Sequence, residues 1–160
     1  MAAQTERFTI RPVQISDAAS LRQTCWADRA PETISLLIER TRKLAQHGRG
    51  LGVVAVRDDG TACAFGLLTV WPRLAEISDL IVSTPYRGQG IGTQIITRLT
   101  EAAIGLGVNT LEIGVALSNP RALALYRSLG FTDSRTIDLD LGNGAEPVLY
   151  LQKKLAAPRD

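Results

Sequence analysis

Apolar residues recur along the chain first at every second position and then at every third or fourth, and each change of period marks the border of an element. Phe8-Thr9-Ile10-Arg11 alternates and stops at Pro12, which predicts a short opening strand. Ser16 or Asp17 offers an N-cap for a helix reaching about Asp28, with Ala18, Leu21 and Cys25 on its apolar side. A second helix begins after the short loop 27–30. Pro31 suits its first position, Glu32 its first turn, and Ile34, Leu37, Ile38, Thr41, Leu44 and Ala45 form a stripe until Gly48 and Gly50 end it. Residues 53–56 and 62–70 read as strands joined at Arg57-Asp58-Asp59-Gly60, where Asp-Gly predicts a tight hairpin. Trp71-Pro72-Arg73 then turns the chain into a strand over 76–82.

Helical spacing returns with Ile91, Ile95, Ile96, Leu99, Ala102, Ala103 and Leu106, followed by a strand over 111–115. A short helix opens after Asn119. Residues 136–141 and 148–155 close the chain as a hairpin turned by Gly142-Asn143-Gly144, with Asp138 and Asp140 on a solvated face. The succession is β-α-α-β-β-β-α-β-α-β-β. A helix separates the strand over 76–82 from the strand over 111–115, so these two can run parallel as a crossover requires.

Ser83-Thr84-Pro85-Tyr86-Arg87-Gly88-Gln89-Gly90-Ile91-Gly92 fills the turn between a strand and the longest apolar helix face. Glycines there leave main-chain N–H groups of the first helical turn open, at the positive end of the helix dipole, where a phosphate fits. Thr93-Gln94 after the last glycine contradicts a Lys-Ser/Thr phosphate loop, and Gly88-x-Gly90-x-Gly92 has the wrong last step for a dinucleotide fingerprint. From the glycines alone, a plain strand-ending turn stays as open as an anion site. Further along, Asn119 supplies an N-cap, Pro120 suits the first helical position and Gly130 sits where a left-handed residue closes the helix.

Together the two stretches resemble the GNAT superfamily of N-acetyltransferases. Arg87-Gly88-Gln89-Gly90-Ile91-Gly92 is similar to that family's Q/R-x-x-G-x-G/A pyrophosphate loop. Residues 119–131, Asn119 through Phe131, resemble its N-x-x-A-x-x-L-Y-x-x-x-G-F segment. The likeness extends more loosely over 8–155. It implies an α/β (α+β) fold with a single mixed, mostly antiparallel sheet, whose fourth and fifth strands splay into a cofactor cleft. It also implies acetyl-CoA as donor and an amine as acceptor.

Under that resemblance the N–H groups of Gln89, Gly90, Ile91, Gly92 and Thr93 hold the pyrophosphate, while Arg87 and Gly88 shape the approach. The pantetheine arm pairs with Ile81-Val82-Ser83, and Asn119 adds a side-chain hydrogen bond. The Val82 N–H is placed to hold the developing oxyanion. Tyr126, a phenol near pKa 10, suits proton donation to a thiolate whose acid lies near about 8.5. An alkylammonium must lose its proton before attack, to a base or a water relay, and Glu76 is the candidate base. Asp79 is the runner-up, on the opposite strand face unless a bulge intervenes. Trp26, Arg29, the Trp71 turn and the last hairpin are the candidate walls for the acceptor, with either tryptophan equally at home in the core. The acceptor is expected to be a small-molecule amine. A protein N-terminus or a lysine, a longer acyl group, a non-catalytic acyl-CoA-binding regulatory domain and an unrelated nucleotide-binding protein remain alternatives.

Composition narrows the setting. The 160 residues suit one domain, 45% hydrophobic and 21% charged residues argue against disorder, and the formal charge is only +2 with scattered arginines, which does not suggest nucleic acid. No apolar run reaches a membrane span and residues 1–7 lack a signal-peptide pattern, so a cytoplasmic enzyme without membrane contact is expected, with a homodimer left open. Cys25 and Cys63 have no metal-ligand spacing and read as reduced core thiols. His47, the only histidine, reads as part of a helix C-terminal turn; no metal is expected.

Overall fold

The computed structural model describes residues 7–142 and 144–156. One seven-stranded sheet runs in the order β1-β2-β3-β4-β5-β7-β6. Its strands are β1 (Phe8–Pro12), β2 (Gly50–Arg57), β3 (Ala62–Val70), β4 (Ala75–Val82), β5 (Thr110–Ala116), β6 (Thr132–Asp140) and β7 (Ala145–Lys154). Four helices connect them: α1 (Ala18–Thr24), α2 (Pro31–Gln46), α3 (Ile91–Gly105) and α4 (Pro120–Ser128). Every strand pair is antiparallel except β4 with β5, the crossover pair around α3. The predicted succession and the mixed sheet are both present.

Each sheet face buries its own core. Ile91, Ile95, Ile96, Leu99 and Ala103 of α3 pack on one face with Leu68, Ile77, Leu111, Ile113, Tyr126 and Phe131. Leu21 of α1 and Ile34 and Ile38 of α2 pack on the other with Trp26, Val54 and Phe65. α3 sits so close to β3 that a Cβ on Gly66 would come within 2.6 Å of Ile95 Cγ2, so no larger residue fits there without moving the helix.

Several borders differ from the sequence reading. The first helix opens with a 3₁₀ turn over Ile15–Asp17, and neither Ser16 nor Asp17 caps it with a side chain. The Asp17 carboxylate instead accepts from the Gln14 N–H at 2.8 Å and from both arms of Arg11. It also ends at Thr24, well before Asp28: Trp26 folds back, its N–H bonding to the Leu21 carbonyl, and its ring packs edge-on against Phe65. Burial of the indole outweighs another helical turn. β2 begins at Gly50 rather than Val53, and β6 begins at Thr132 rather than Thr136. Leu106, counted on the α3 stripe, is the exposed C-cap.

The hairpin after β2 is not a two-residue turn. Gly60 alone has positive φ, at 86°, its N–H bonds to the Arg57 carbonyl and the Arg57 N–H to the Thr61 carbonyl. Asp59 therefore stays in an ordinary conformation and the left-handed glycine widens the loop. The Asn143 part of the last turn lies outside the described residues.

Candidate active site

The crossover pair is what opens the sheet. β4 and β5 share register only at Ala75 with Leu111, Glu76 with Glu112 and Ile77 with Ile113. Beyond Ile77 the strands part, leaving a cleft of about 450 Å³ between β4, the start of α3 and α4. The splay expected from the resemblance is present.

A bulge helps part them. Opposite β3 the register slips between Phe65 and Leu67, and Asp79 adopts φ 54°. This is the left-handed region, uncommon for a residue with a side chain but best tolerated by Asp and Asn. The bulge puts Leu80 on the α3 face with Ile77 and leaves Asp79 exposed, so simple strand alternation does not hold at this point.

The cleft floor is Leu80, Ile81 and Val82. The Ser83 N–H is spent on the Cys63 carbonyl of β3, so by alternation Val82 turns its N–H and C=O the other way, into the cleft. Its carbonyl already takes Arg87 Nε at 3.0 Å, and its N–H faces the same side. Ser83 is buried beside this floor rather than in the lining, and the exposed Gln89 also lies outside it.

Gly88, Gly90, Ile91, Gly92 and Thr93 form the next wall. Gly90 is the N-cap of α3 in the left-handed conformation, φ 82°, and no side chain caps the helix. The first main-chain bond of the helix is from the Gln94 N–H to the Gly90 carbonyl, so the N–H groups before Gln94 point onward without intrahelical partners. An added Cβ at Gly90 would meet nothing of the protein within 4 Å, so the space beside it is open for a bulky anion.

The far wall is the first two turns of α4. Asn119 lies at its cap with Oδ1 accepting from the Ala122 N–H at 3.2 Å, which leaves its amide N–H₂ free toward the cleft. Tyr126 is 7% exposed, stacks edge-on with Phe131 at 6.4 Å, and burial pushes its phenol above the usual value. Its hydroxyl has no hydrogen bond. Among the described residues no fully buried side-chain polar atom lacks a partner, so the phenol oxygen must reach the cleft surface. It is thus a protonated donor through the neutral range.

Sequence reasoning missed some of this wall. Arg121 lines the cleft and brings a guanidinium nitrogen to within 3.3 Å of where a Gly88 Cβ would be, over the glycine loop. Tyr86, Ala122 and Leu125 also line it. Helical spacing carried the signal, since Arg121, Ala122 and Leu125 lie within one or two turns of Asn119 and Tyr126.

Glu76 lies one register pair below the fork, half-buried and outside the residues that line the cleft. Burial first, then the neighbouring Glu112 and Asp79 carboxylates, hold its proton above the ordinary range, with Arg135 opposing. Trp26 is core, only 3% exposed, with the Arg29 guanidinium 4.9 Å from its ring; Trp71 is exposed. Cys63 is buried, and burial raises the Cys25 thiol above its usual value. His47 C-caps α2, its ring nitrogen 2.7 Å from the Lys43 carbonyl. Among the described residues no His, Cys, Asp and Glu cluster could hold a metal, and no helix is long and apolar enough to cross a membrane.

Comparison with known proteins converges on one family. The Acetyltransferase (GNAT) family matches residues 15–131. A thialysine N-epsilon-acetyltransferase of Bos taurus is 42% identical over 57 residues, 36% of this chain and 34% of that protein. The [ribosomal protein bS18]-alanine N-acetyltransferase of Escherichia coli is 34% identical over 76 residues, 48% of this chain and 51% of that protein. The chain therefore matches only a third to a half of these relatives' length. Among solved structures, a phosphinothricin acetyltransferase from Sinorhizobium meliloti in complex with AcCoA superposes with a TM-score of 0.77 at 19% identity. That match covers 95% of this chain and 89% of the other, and shows the shared fold.

Proposed function

The chain belongs to the acetyltransferase (GNAT) family, and on that premise we propose that residues 1–160 act as one domain that moves an acetyl group from acetyl-CoA directly to a primary amine of a small molecule. One observation carries the reading: an uncapped helix start and an unpartnered phenol face each other across the same cleft. The N–H groups of Gly90, Ile91, Gly92 and Thr93 would grip the pyrophosphate, with Arg87 and Arg121 adding charge from either side. The main chain of Ile81 and Val82 would pair with the amides of the pantetheine arm, the Asn119 amide adding one further bond.

Glu76 acts as base, through water, on the acceptor ammonium at the fork. The nitrogen then attacks the thioester carbon, a C–N bond forms, and the Val82 N–H holds the charge that develops on oxygen. As the C–S bond breaks, Tyr126 donates its proton to the departing sulfur, and the extra proton left on the acylated nitrogen returns through water to the tyrosinate. No acyl-enzyme is needed, so Cys25 and Cys63 remain packing residues. Since Glu76 works only when deprotonated, kcat/KM falls as pH drops through its raised pKa, earlier than for an ordinary glutamate.

A second acceptor class, a protein N-terminal amine, is favoured by the name of the Escherichia coli relative. A screen of small amines and of short peptides with free N-termini, incubated with acetyl-CoA and followed by thiol release, separates the two. Turnover on small amines supports the first reading and turnover restricted to peptides the second. CoA binding without thiol release from any acceptor would leave an acyl-CoA-binding domain without catalysis.

A further inference from the structure

Glu76 does not sit alone below the fork. Its register partner across the parallel pair is Glu112, and register partners on neighbouring strands about 4.8 Å apart point the same way. Like charges placed directly opposite one another in a sheet repel. Glu112 is moreover 3% exposed, where an unpartnered carboxylate would not persist. The structure supplies a partner from the far edge of the sheet. Arg135 of β6 reaches across β7 and donates from both arms to Glu112, at 2.7 and 3.5 Å, and the Gln152 side chain adds a bond at 3.4 Å.

The reach is itself built. The Arg135 guanidinium lies over the Tyr150 ring, 4.7 Å from its centroid, and that ring also rests on Gly114 of β5, where a Cβ would come within 3.0 Å of Cε1. Gly114, Tyr150 and Arg135 are thus stacked across three strands, with Gly114 and Arg135 both register partners of Tyr150. A slip at Asp133 in the β6–β7 ladder sets Arg135 opposite Tyr150.

We propose that Arg135, on the outermost strand and in contact with no reacting atom, is a positioning residue that holds Glu112 as a buried anion at the flank of Glu76 and so governs when Glu76 takes up a proton. This rests on the reading of Glu76 as the base. The charged and titratable groups facing Glu76 are Asp79 on its own strand, Glu112 on β5, Arg135 on β6 and Tyr150 on β7; β3 places Thr69 opposite and contributes no charge. Glu112 and Asp79 hold the Glu76 proton on and Arg135 pulls the other way; the 2.7 Å contact with Arg135 keeps the Glu112 carboxylate in place.

The test needs no acceptor. Glutamate labelled with ¹³C at the side-chain carboxyl is incorporated into the full chain, and the Glu76 signal is assigned by its loss in Glu76→Gln. In Glu112→Gln its titration midpoint falls by about one pH unit, the scale of one like-charge neighbour. In Arg135→Met it falls by less, because the orphaned Glu112 takes up a proton while the guanidinium is also lost. Arg135→Lys restores it to near the wild-type midpoint. Arg135 is half-exposed at its side chain, so Glu112→Gln leaves no stranded interior charge and should fold; circular dichroism melting checks each variant.

A midpoint unmoved in Glu112→Gln overturns the proposal. So does a midpoint that rises in Arg135→Met while Glu112 stays unprotonated, since Arg135 would then act on Glu76 directly. The base reading fails separately: if the acid limb of kcat/KM survives in Glu76→Gln, Glu76 is not the base even though its midpoint obeys the pair.

Discussion

Two helices begin at the walls of one cleft, and they begin in opposite ways. α4 starts at Asn119, whose side chain accepts a main-chain N–H, with Pro120 in place of another donor. α3 starts at Gly90, which has no side chain to turn inward and no residue capping it. An end satisfied by its own sequence has little left for a ligand, whereas an end left open is a site for an anion. α4 accordingly contributes side chains to the cleft, Asn119, Arg121 and Tyr126, and α3 contributes main chain. On the proposed reading, the difference separates chemistry from grip.

Tyr126→Phe tests the side-chain half and has the largest expected effect. It should lower kcat by about a hundredfold or more, the range of one general acid, while CoA affinity measured by calorimetry changes little. Equal loss of both would mean that the phenol matters for packing rather than proton donation.

Gly90→Val tests the main-chain half. A β-branched residue is badly strained at φ 82°, and its methyl groups would occupy the open space beside the N–H row. CoA affinity should fall about a hundredfold, equivalent to losing one or two hydrogen bonds to a charged group. Retained affinity would break the comparison outright.

Asn119→Ala removes a cap without touching the gripping end. It should cost about 1 kcal/mol of stability, a fall in Tm of a few degrees in a thermal scan. CoA affinity should drop far less than in Gly90→Val. Smallest of all is Gly92→Ala. That backbone is ordinary and the nearest atom outside its own helix to a new Cβ, on Leu125, is 3.8 Å away, so binding should stay close to wild type and Tm should hold or rise slightly.

Both helix starts were legible because their signals are local: glycines spaced by two, an Asn-Pro pair, a closing Gly130. The parallel pairing of β4 with β5 was legible from the intervening helix. Where pairing between distant strands decides the outcome, the sequence is silent. Nothing near Asp79 announces φ 54°, since the bulge answers to Gly66 and Leu67 across the ladder. Glu112 and Arg135 are 23 residues apart, and only the β5-β7-β6 order and the slip at Asp133 bring them together. Trp26 shows the same limit on a smaller scale: the helical pattern runs on toward Asp28, but the demand to bury an indole against Phe65 stops it at Thr24.

The short ladder between β4 and β5 also divides the sheet into two panels, β1 to β4 and β5 to β7, hydrogen-bonded to each other over Ala75–Ile77 and Leu111–Ile113 and bridged besides by the core under α3. A seam that brief leaves main-chain groups of both strands beyond it without a partner across the fork. A guest whose amides bonded to both lips would lengthen the lacing, and occupancy would then tie the halves more firmly together.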